Sequence, residues 1–293
     1  MGSREVSVSE IVRRAIRQSY EQLVAREADL RVGGDPESVH QARVATRRLR
    51  SDLRTFEQFV DARWANDLRG DLRWLGAELG IVRDLDVQRE RLRGHADRLP
   101  PTEGEAARRV VRRLDADHAA AKGDLRAMLN EARYEHVRNK LAAAAATPVF
   151  TRAAHSHASD AAEMLTAVVR ERWTKLRRSV RRLSDNPDDE SLHAVRIRAK
   201  RCRYASDACE PALGKPARRL SRSAASVQDL LGEHHDAVVA IAWLAKTAHE
   251  CSPGEAYAIG MLAQIERDAA ASARAEFPSV WNHVDTKRIR GWL

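Results

Sequence analysis

Two stretches of this chain repeat each other at an offset of 153 residues, and few folds accommodate such a repeat. Residues 38–50 read Ser-Val-His-Gln-Ala-Arg-Val-Ala-Thr-Arg-Arg-Leu-Arg, and residues 191–203 read Ser-Leu-His-Ala-Val-Arg-Ile-Arg-Ala-Lys-Arg-Cys-Arg. His40 falls on His193, and Arg43, Arg47, Arg48 and Arg50 fall on Arg196, Lys200, Arg201 and Arg203. Upstream, Glu10, Arg17, Tyr20, Leu23 and Asp35 align with Glu163, Arg170, Trp173, Leu176 and Asp188. Downstream, Leu79-Gly80-Ile81-Val82-Arg83-Asp84 matches Leu231-Gly232-Glu233-His234-His235-Asp236, with the offset one residue shorter. The chain reads as an internal duplication.

Each copy follows one helical schedule. Apolar residues at helical spacing (Val8, Ile11, Val12, Ile16, Leu23, Val24) predict a helix over 6–32, stopped by Gly33-Gly34. Asp35-Pro36 supplies an N-cap and a helix-starting proline for a second helix reaching about Phe59. A third spans 62–97 with a break expected at Gly80, and Pro100-Pro101 ends it before a fourth over 103–146. The second copy gives helices over 155–184, 189–209, 216–250 and 254–276, with a turn at Ser184-Asp185-Asn186-Pro187-Asp188. The expected fold class is all-α: two four-helix bundles from an internal duplication. They form one domain over 4–290, in halves 4–148 and 153–290, joined without a Gly/Ser linker and therefore packed together.

Composition agrees. Aromatics are only 5% of the 293 residues, with 14 Gly and 9 Pro, which disfavours sandwiches and barrels. No stretch approaches the ~18 uncharged apolar residues of a membrane span. The start, Met1-Gly2-Ser3-Arg4-Glu5-Val6, lacks the apolar region of a signal peptide. Cys202, Cys209 and Cys251 form no CxxC pair, so reduced thiols and a cytoplasmic location are expected. Lys and Arg total 51 against 42 Asp and Glu, a formal net charge of +9 that points to an anionic partner.

The distribution of that charge says more than its sum. On a helical wheel, His40, Arg43, Arg47, Arg50 and Arg54 share one side, with Arg48 about 80° away on the other, opposite Ala42, Ala45, Leu49, Leu53 and Phe56. His193, Arg196, Lys200 and Arg203 repeat the arrangement. Solvated faces mix signs, because like charges at i,i+4 cost a few tenths of a kcal/mol each. Here only Asp52 lies near, so something negative must offset the repulsion: acids elsewhere, such as Asp84 and Asp236, or an anionic ligand. Guanidinium groups fork onto phosphate or carboxylate oxygens as a lysine cannot. Residues seven apart lie about 10 Å apart along the axis, which suits an extended chain better than one small anion. Val44 and Ile197 interrupt both faces at the same angle, so part of each face should pack against a neighbour.

Near phosphate, His40 and His193 could donate hydrogen bonds, but acid–base catalysis would need a nucleophile or activated water that the sequence does not offer. Consecutive positions in Glu233-His234-His235-Asp236 are about 100° apart, so a metal site is disfavoured, and His155-Ser-His157 falls in the joint. Cys202 and Cys209 share a face two turns apart, as core residues would. No phosphate-loop, dinucleotide or nucleophile-elbow motif is present, and no cofactor is expected.

Taken together, Val39-His40-Gln41-Ala42-Arg43 through Arg50, Leu79-Gly80-Ile81-Val82-Arg83-Asp84, Leu192-His193 through Arg203-Tyr204 and Leu230-Leu231-Gly232-Glu233-His234-His235-Asp236 resemble the motifs of the CHAD domain, the conserved histidine α-helical domain. The resemblance implies bundles related by a pseudo-twofold axis with a basic surface or channel between them. It also implies inorganic polyphosphate as ligand and recruitment to polyphosphate granules. By position, the contacts would be His40, Arg43, Arg47, Arg48 and Arg50 with His193, Arg196, Lys200, Arg201 and Arg203. Arg54 extends the first strip, and Arg83, His235, Arg17 and Arg170 join as the remaining basic residues of the repeats. Cys202 stands where a larger aliphatic residue is usual, and the match weakens after about 250. Many relatives carry a CYTH triphosphate-hydrolysing domain, but the ExExK signature is absent here.

The expected function is therefore binding of polyphosphate without catalysis. Phosphate or sulfate would fit the same contacts, and no membrane partner is expected. Two rivals remain: a nucleic-acid binder, disfavoured by the few aromatics available for stacking, and a polyphosphate hydrolase.

Overall fold

Five of the described helices begin where a side chain satisfies their free N–H groups. A computed structural model describes residues 7–33, 35–155 and 158–293. Residues 1–6, Gly34 of the expected helix stop and His157 of the joint lie outside them. α1 (Val8–Val24) is opened by a capping box: the Ser7 hydroxyl accepts from the Glu10 N–H at 3.3 Å, and the Glu10 carboxylate accepts from the Ser7 N–H at 2.9 Å. A short α2 (Glu27–Arg31) follows, then Gly33, whose φ of 113° makes the turn that other residues resist. α3 (Pro36–Thr55) starts on Asp35, which accepts from the Ser38 N–H at 2.6 Å. In the second half, Asp188 accepts from the Ser191 N–H at 2.7 Å to start α9 (Asp189–Leu213). The two arginine helices thus share one start signal.

α4 (Ala62–Ala96) runs unbroken through Gly80, contrary to expectation. A helix-interior glycine costs only about 1 kcal/mol, and Leu79 and Val82 are buried on either side, so packing overrides it. The expected helix over 103–146 is instead three: α5 (Pro101–Val111), α6 (Arg113–Leu129) and α7 (Ala132–Ala146). The change of core falls inside α6: Leu114 joins the small core with Val110, Val111, Leu92 and Ala96, whereas Leu125, Met128 and Leu129 join the main one.

A 3₁₀ turn (Arg152–His155) precedes α8 (Ala158–Val180), and α9 turns at Gly214 (φ 67°) into α10 (Lys215–Ala248). α11 (Pro253–Val284) continues past residue 276, the expected end, with Pro278 inside it, and α12 (Lys287–Arg290) follows. All described elements are helical apart from one antiparallel bridge, Val60–Phe150, which pins the α3–α4 connection to the joint between halves. Among the described residues, no helix is long and apolar enough to cross a membrane.

The halves do not fold as separate bundles side by side. Leu49, Leu53 and Phe56 of the α3 region share one continuous core with Leu165 and Val169 of α8 and Val195 and Cys202 of α9. At the far end the small core joins α4 and α5 to Leu244 of α10 and Leu262 of α11. Cys202 and Cys209 are buried core residues, and burial pushes the Cys202 thiol up to about 12. This double clasp holds the polar sides of α3 and α9 toward each other.

Candidate anion-binding cleft

Three helix faces converge on one cavity. From α3 come Arg47, Arg50, Ser51 and Arg54, at the i, i+3, i+4, i+7 spacing of a single stripe. From α4 come Arg69 and Arg73, one turn apart, and from α9 come Ile197, Lys200, Arg201 and Tyr204, again one stripe. These ten residues enclose about 370 Å³. Seven are cationic and none is acidic. Among the described residues, no carboxylate forms an ion pair with any of the seven. The Arg47 Nε donates to the Tyr204 hydroxyl at 2.9 Å, tying α3 to α9 across the cleft, and Arg69 donates to Asn66 at 2.9 Å.

Crowding of like charge in a desolvated place should make each cation harder to keep charged. Burial, reinforced by Arg47, Arg196, Arg43 and Arg50, brings the Lys200 ammonium down to about 7. Burial and then Arg54, Arg198, Arg172 and Arg50 lower Arg201 to about 10. Arg50 is lowered by desolvation and then by Arg73, Arg54, Arg69 and Arg47, and Arg69 shifts the same way. Without an anion the cleft is electrostatically unfavourable.

One end of the cleft leads to the histidines, and there charge is balanced. Arg43 donates at 2.8 Å to the Gly80 carbonyl and at 2.8 Å to Asp84, so it is partly committed within the protein. Arg196 packs on Gly232 in the equivalent place, where a Cβ would meet its Nε at 3.7 Å, as one at Gly80 would meet Arg43 at 3.6 Å. Beside it the Asp236 carboxyl is raised by burial, against the pull of Arg196. The His193 and His235 rings lie against each other, tilted by 39°, with centroids 4.3 Å apart. Burial lowers His40, helped by Arg83, and lowers His193, helped by Arg196 and Lys200. His235 falls to about 4, through burial and then His193 and Arg196. All three imidazoles are therefore neutral near pH 7.

Four predicted residues lie apart from the cleft. Arg48 turns toward the buried Asp52, whose carboxyl burial raises to about 8 against the opposing charge of Arg48. Arg203 lies 4.0 Å from Asp207 on its own helix. Arg17 sits on the outer side of α1 among Glu10, Arg13, Arg14 and Glu21. Arg170 donates to the Leu293 carbonyl at 2.7 Å on the outer side of α8. The Glu233–Asp236 run disperses: Glu233 pairs with Arg91 at 2.8 Å, His234 lies 3.2 Å from Asp189, and His235 faces His193. Among the described residues, no group of three His, Cys, Asp or Glu side chains is arranged to hold a metal.

The family model of the CHAD domain matches residues 14–245, most of the chain. This chain belongs to the CHAD family. Its solved structural neighbours agree: the CHAD domain from the plant Ricinus communis superposes with a TM-score of 0.74 at 24% identity, covering 97% of this chain and 96% of that one. PptA from Streptomyces chartreusis gives a TM-score of 0.78 at 22% identity, covering 94% of this chain and 100% of its own. Among curated proteins, the uncharacterized protein Rv2226 of Mycobacterium tuberculosis is 29% identical over 296 residues, which is 95% of this chain and 54% of that protein. Its counterpart from another strain, MT2285, matches equally, so the CHAD chain spans about half the length of these relatives.

Within this CHAD domain, sequence reasoning missed Arg69, Arg73, Ser51 and Tyr204 as cleft residues. The signal for the first two was present. Arg69 and Arg73 are like charges at i,i+4, the same criterion that singled out α3, but they lie outside the repeated motifs.

Proposed function

We propose that this CHAD domain binds inorganic polyphosphate in the α3–α4–α9 cleft without cleaving it, and that this attachment holds it at cytoplasmic polyphosphate granules. The reading is carried by one observation: seven cations line the cavity with no acid among them. An extended phosphate chain, with one negative charge on each internal unit, relieves all seven at once. Arginine forks bind successive phosphoryl oxygens, while Lys200 adds a point charge.

A hydrolase would need a base or an activated water beside the chain. The lining offers donors in place of carboxylates. Its one weak base, Lys200, becomes protonated when phosphate charge arrives. The nucleic-acid reading fits less well, because Tyr204 is only 6% exposed and is held by Arg47, leaving no free aromatic face in the cleft.

Competition at one fixed salt concentration tests the reading. Long-chain polyphosphate should displace labelled polyphosphate at far lower phosphate concentration than RNA does, and log affinity should fall linearly with log salt. No orthophosphate should appear, with or without divalent metal. Equal competition by RNA would support the nucleic-acid reading, and phosphate release would establish a hydrolase.

A further inference from the structure

A second group of arginines lies outside the cleft. Along the second half of α8 and just past its end, Arg170, Arg177, Arg178, Arg181 and Arg182 gather with Arg290 of α12 around a second cavity of about 450 Å³. Its floor includes Trp173, which is buried and stacked on Trp281 at 5.6 Å. One acid serves the group: Asp285 pairs with Arg177 at 2.9 Å and with Arg290 at 2.8 Å. Among the described residues, no carboxylate pairs with Arg178, Arg181 or Arg182, and all three are exposed. The dipole at the end of α8 favours cations there, but weakly, and the effect fades beyond the last turn. Six arginines exceed what that role requires.

The direction of the patch matters as much as its charge. On the same helix, the buried Arg172 donates to the Arg54 carbonyl at 2.7 Å, and Arg54 lines the cleft. At 100° per residue, Arg170, Arg177, Arg178 and Arg181 lie roughly 120–180° around the α8 axis from Arg172, and Arg182 about 80° from it. The body of a helix, about 10 Å across, therefore separates the two arginine groups.

We propose that the α8–α12 arginine face is a second phosphate-chain site, which makes the domain bivalent and able to link two polyphosphate chains. The inference rests on the polyphosphate reading of the cleft. The same bidentate chemistry serves both sites, but the outer one is open and partly neutralised by Asp285, so it is the weaker. Two modest sites on one molecule gain avidity for long chains and for surfaces coated with them.

Calorimetry with a short polyphosphate, too short to reach around α8, tests this directly. The wild-type chain should bind two per molecule with different affinities. Arg178→Ala, Arg181→Ala and Arg182→Ala together remove exposed side chains without touching the core. The variant should bind one, with the tighter affinity unchanged, and should no longer cluster long chains in light scattering. Arg47→Ala with Arg50→Ala should leave only the weaker site. A stoichiometry of one for the wild type, or identical titrations for wild type and the triple variant, overturns the second site. So does a triple variant that loses only binding to anionic lipid vesicles. Absence of any polyphosphate binding would instead remove the proposed function itself, and bivalency with it.

Discussion

Reversing charge at Arg50 and Arg73 is expected to lower polyphosphate affinity by more than a thousandfold while raising the melting temperature of the empty protein. These two side chains reach the cleft from α3 and α4 and oppose each other across it, and Arg73 is the leading charged neighbour that depresses Arg50. A hydrogen bond to a charged group contributes about 1.5–3 kcal/mol, so each arginine lost should cost roughly tenfold to a hundredfold, and a glutamate adds repulsion of the phosphate. Stability should move the other way. Arg50→Glu and Arg73→Glu would place carboxylates beside Arg47, Arg54 and Arg69, replacing like-charge crowding with ion pairs.

The control carries the same net charge. Arg14→Glu with Arg17→Glu alters the outer face of α1, and its affinity should fall only through the weaker long-range field. Arg43→Ala should also be mild, because Arg43 already serves the Gly80 carbonyl and Asp84. Equal losses in the α1 control and the cleft variant would mean that net charge alone governs binding.

The second large effect is pH dependence through Lys200. Burial and four surrounding arginines hold its ammonium at about 7, so in the empty cleft it loses its proton as pH rises through neutrality. A bound phosphate chain favours the charged form, so binding above pH 7 takes up a proton. Affinity should be flat below pH 7 and fall by up to about tenfold per pH unit above it, until the bound-state value is passed. Lys200→Arg should flatten the profile with affinity retained at pH 8.5, and Lys200→Met should flatten it at a lower level. His40, His193 and His235 are all held below the ordinary imidazole value in the empty protein, so Lys200 is the group that titrates nearest neutrality.

Stability of the empty protein should show the reciprocal trend. Above pH 7 the unfolded chain keeps a Lys200 proton that the folded chain sheds, so this group's destabilising contribution is complete below pH 7 and relieved as pH rises toward 10.5. Titrations in two buffers of different ionisation enthalpy read the proton uptake. A flat wild-type affinity from pH 6 to 9 would contradict the burial assigned to Lys200.

Much of this was legible in the residues because it is locally encoded. Asp35 and Asp188 announce their helices through side-chain caps, and the α3 and α9 stripes follow from spacing alone. The helix breaks at Arg112 and near Asn130 were not legible, because neither carries a proline or glycine and the apolar spacing continues across them. Repeat alignment identified Arg17 and Arg170 as equivalent residues, yet equivalence fixes position along a helix and says nothing about whether that side faces the cleft. Arg69 and Arg73 show the converse: they carry no repeat signal, but the fold of α4 against α3 brings them into the cavity. Asp84 stood among the acids named as partners for the basic face, and the packing of α4 against α3 decides that Arg43 is the arginine it takes.

A structure of the protein with a short polyphosphate chain bound is the most direct measurement. Phosphoryl oxygens should lie within hydrogen-bonding distance, about 2.7–2.9 Å, of the guanidinium groups of Arg47, Arg50 and Arg73 and of the Lys200 ammonium, with the chain running between α3, α4 and α9. A chain seated only beside the histidines or on the outer face of α8, with the seven-cation cavity left without phosphate, would contradict the account.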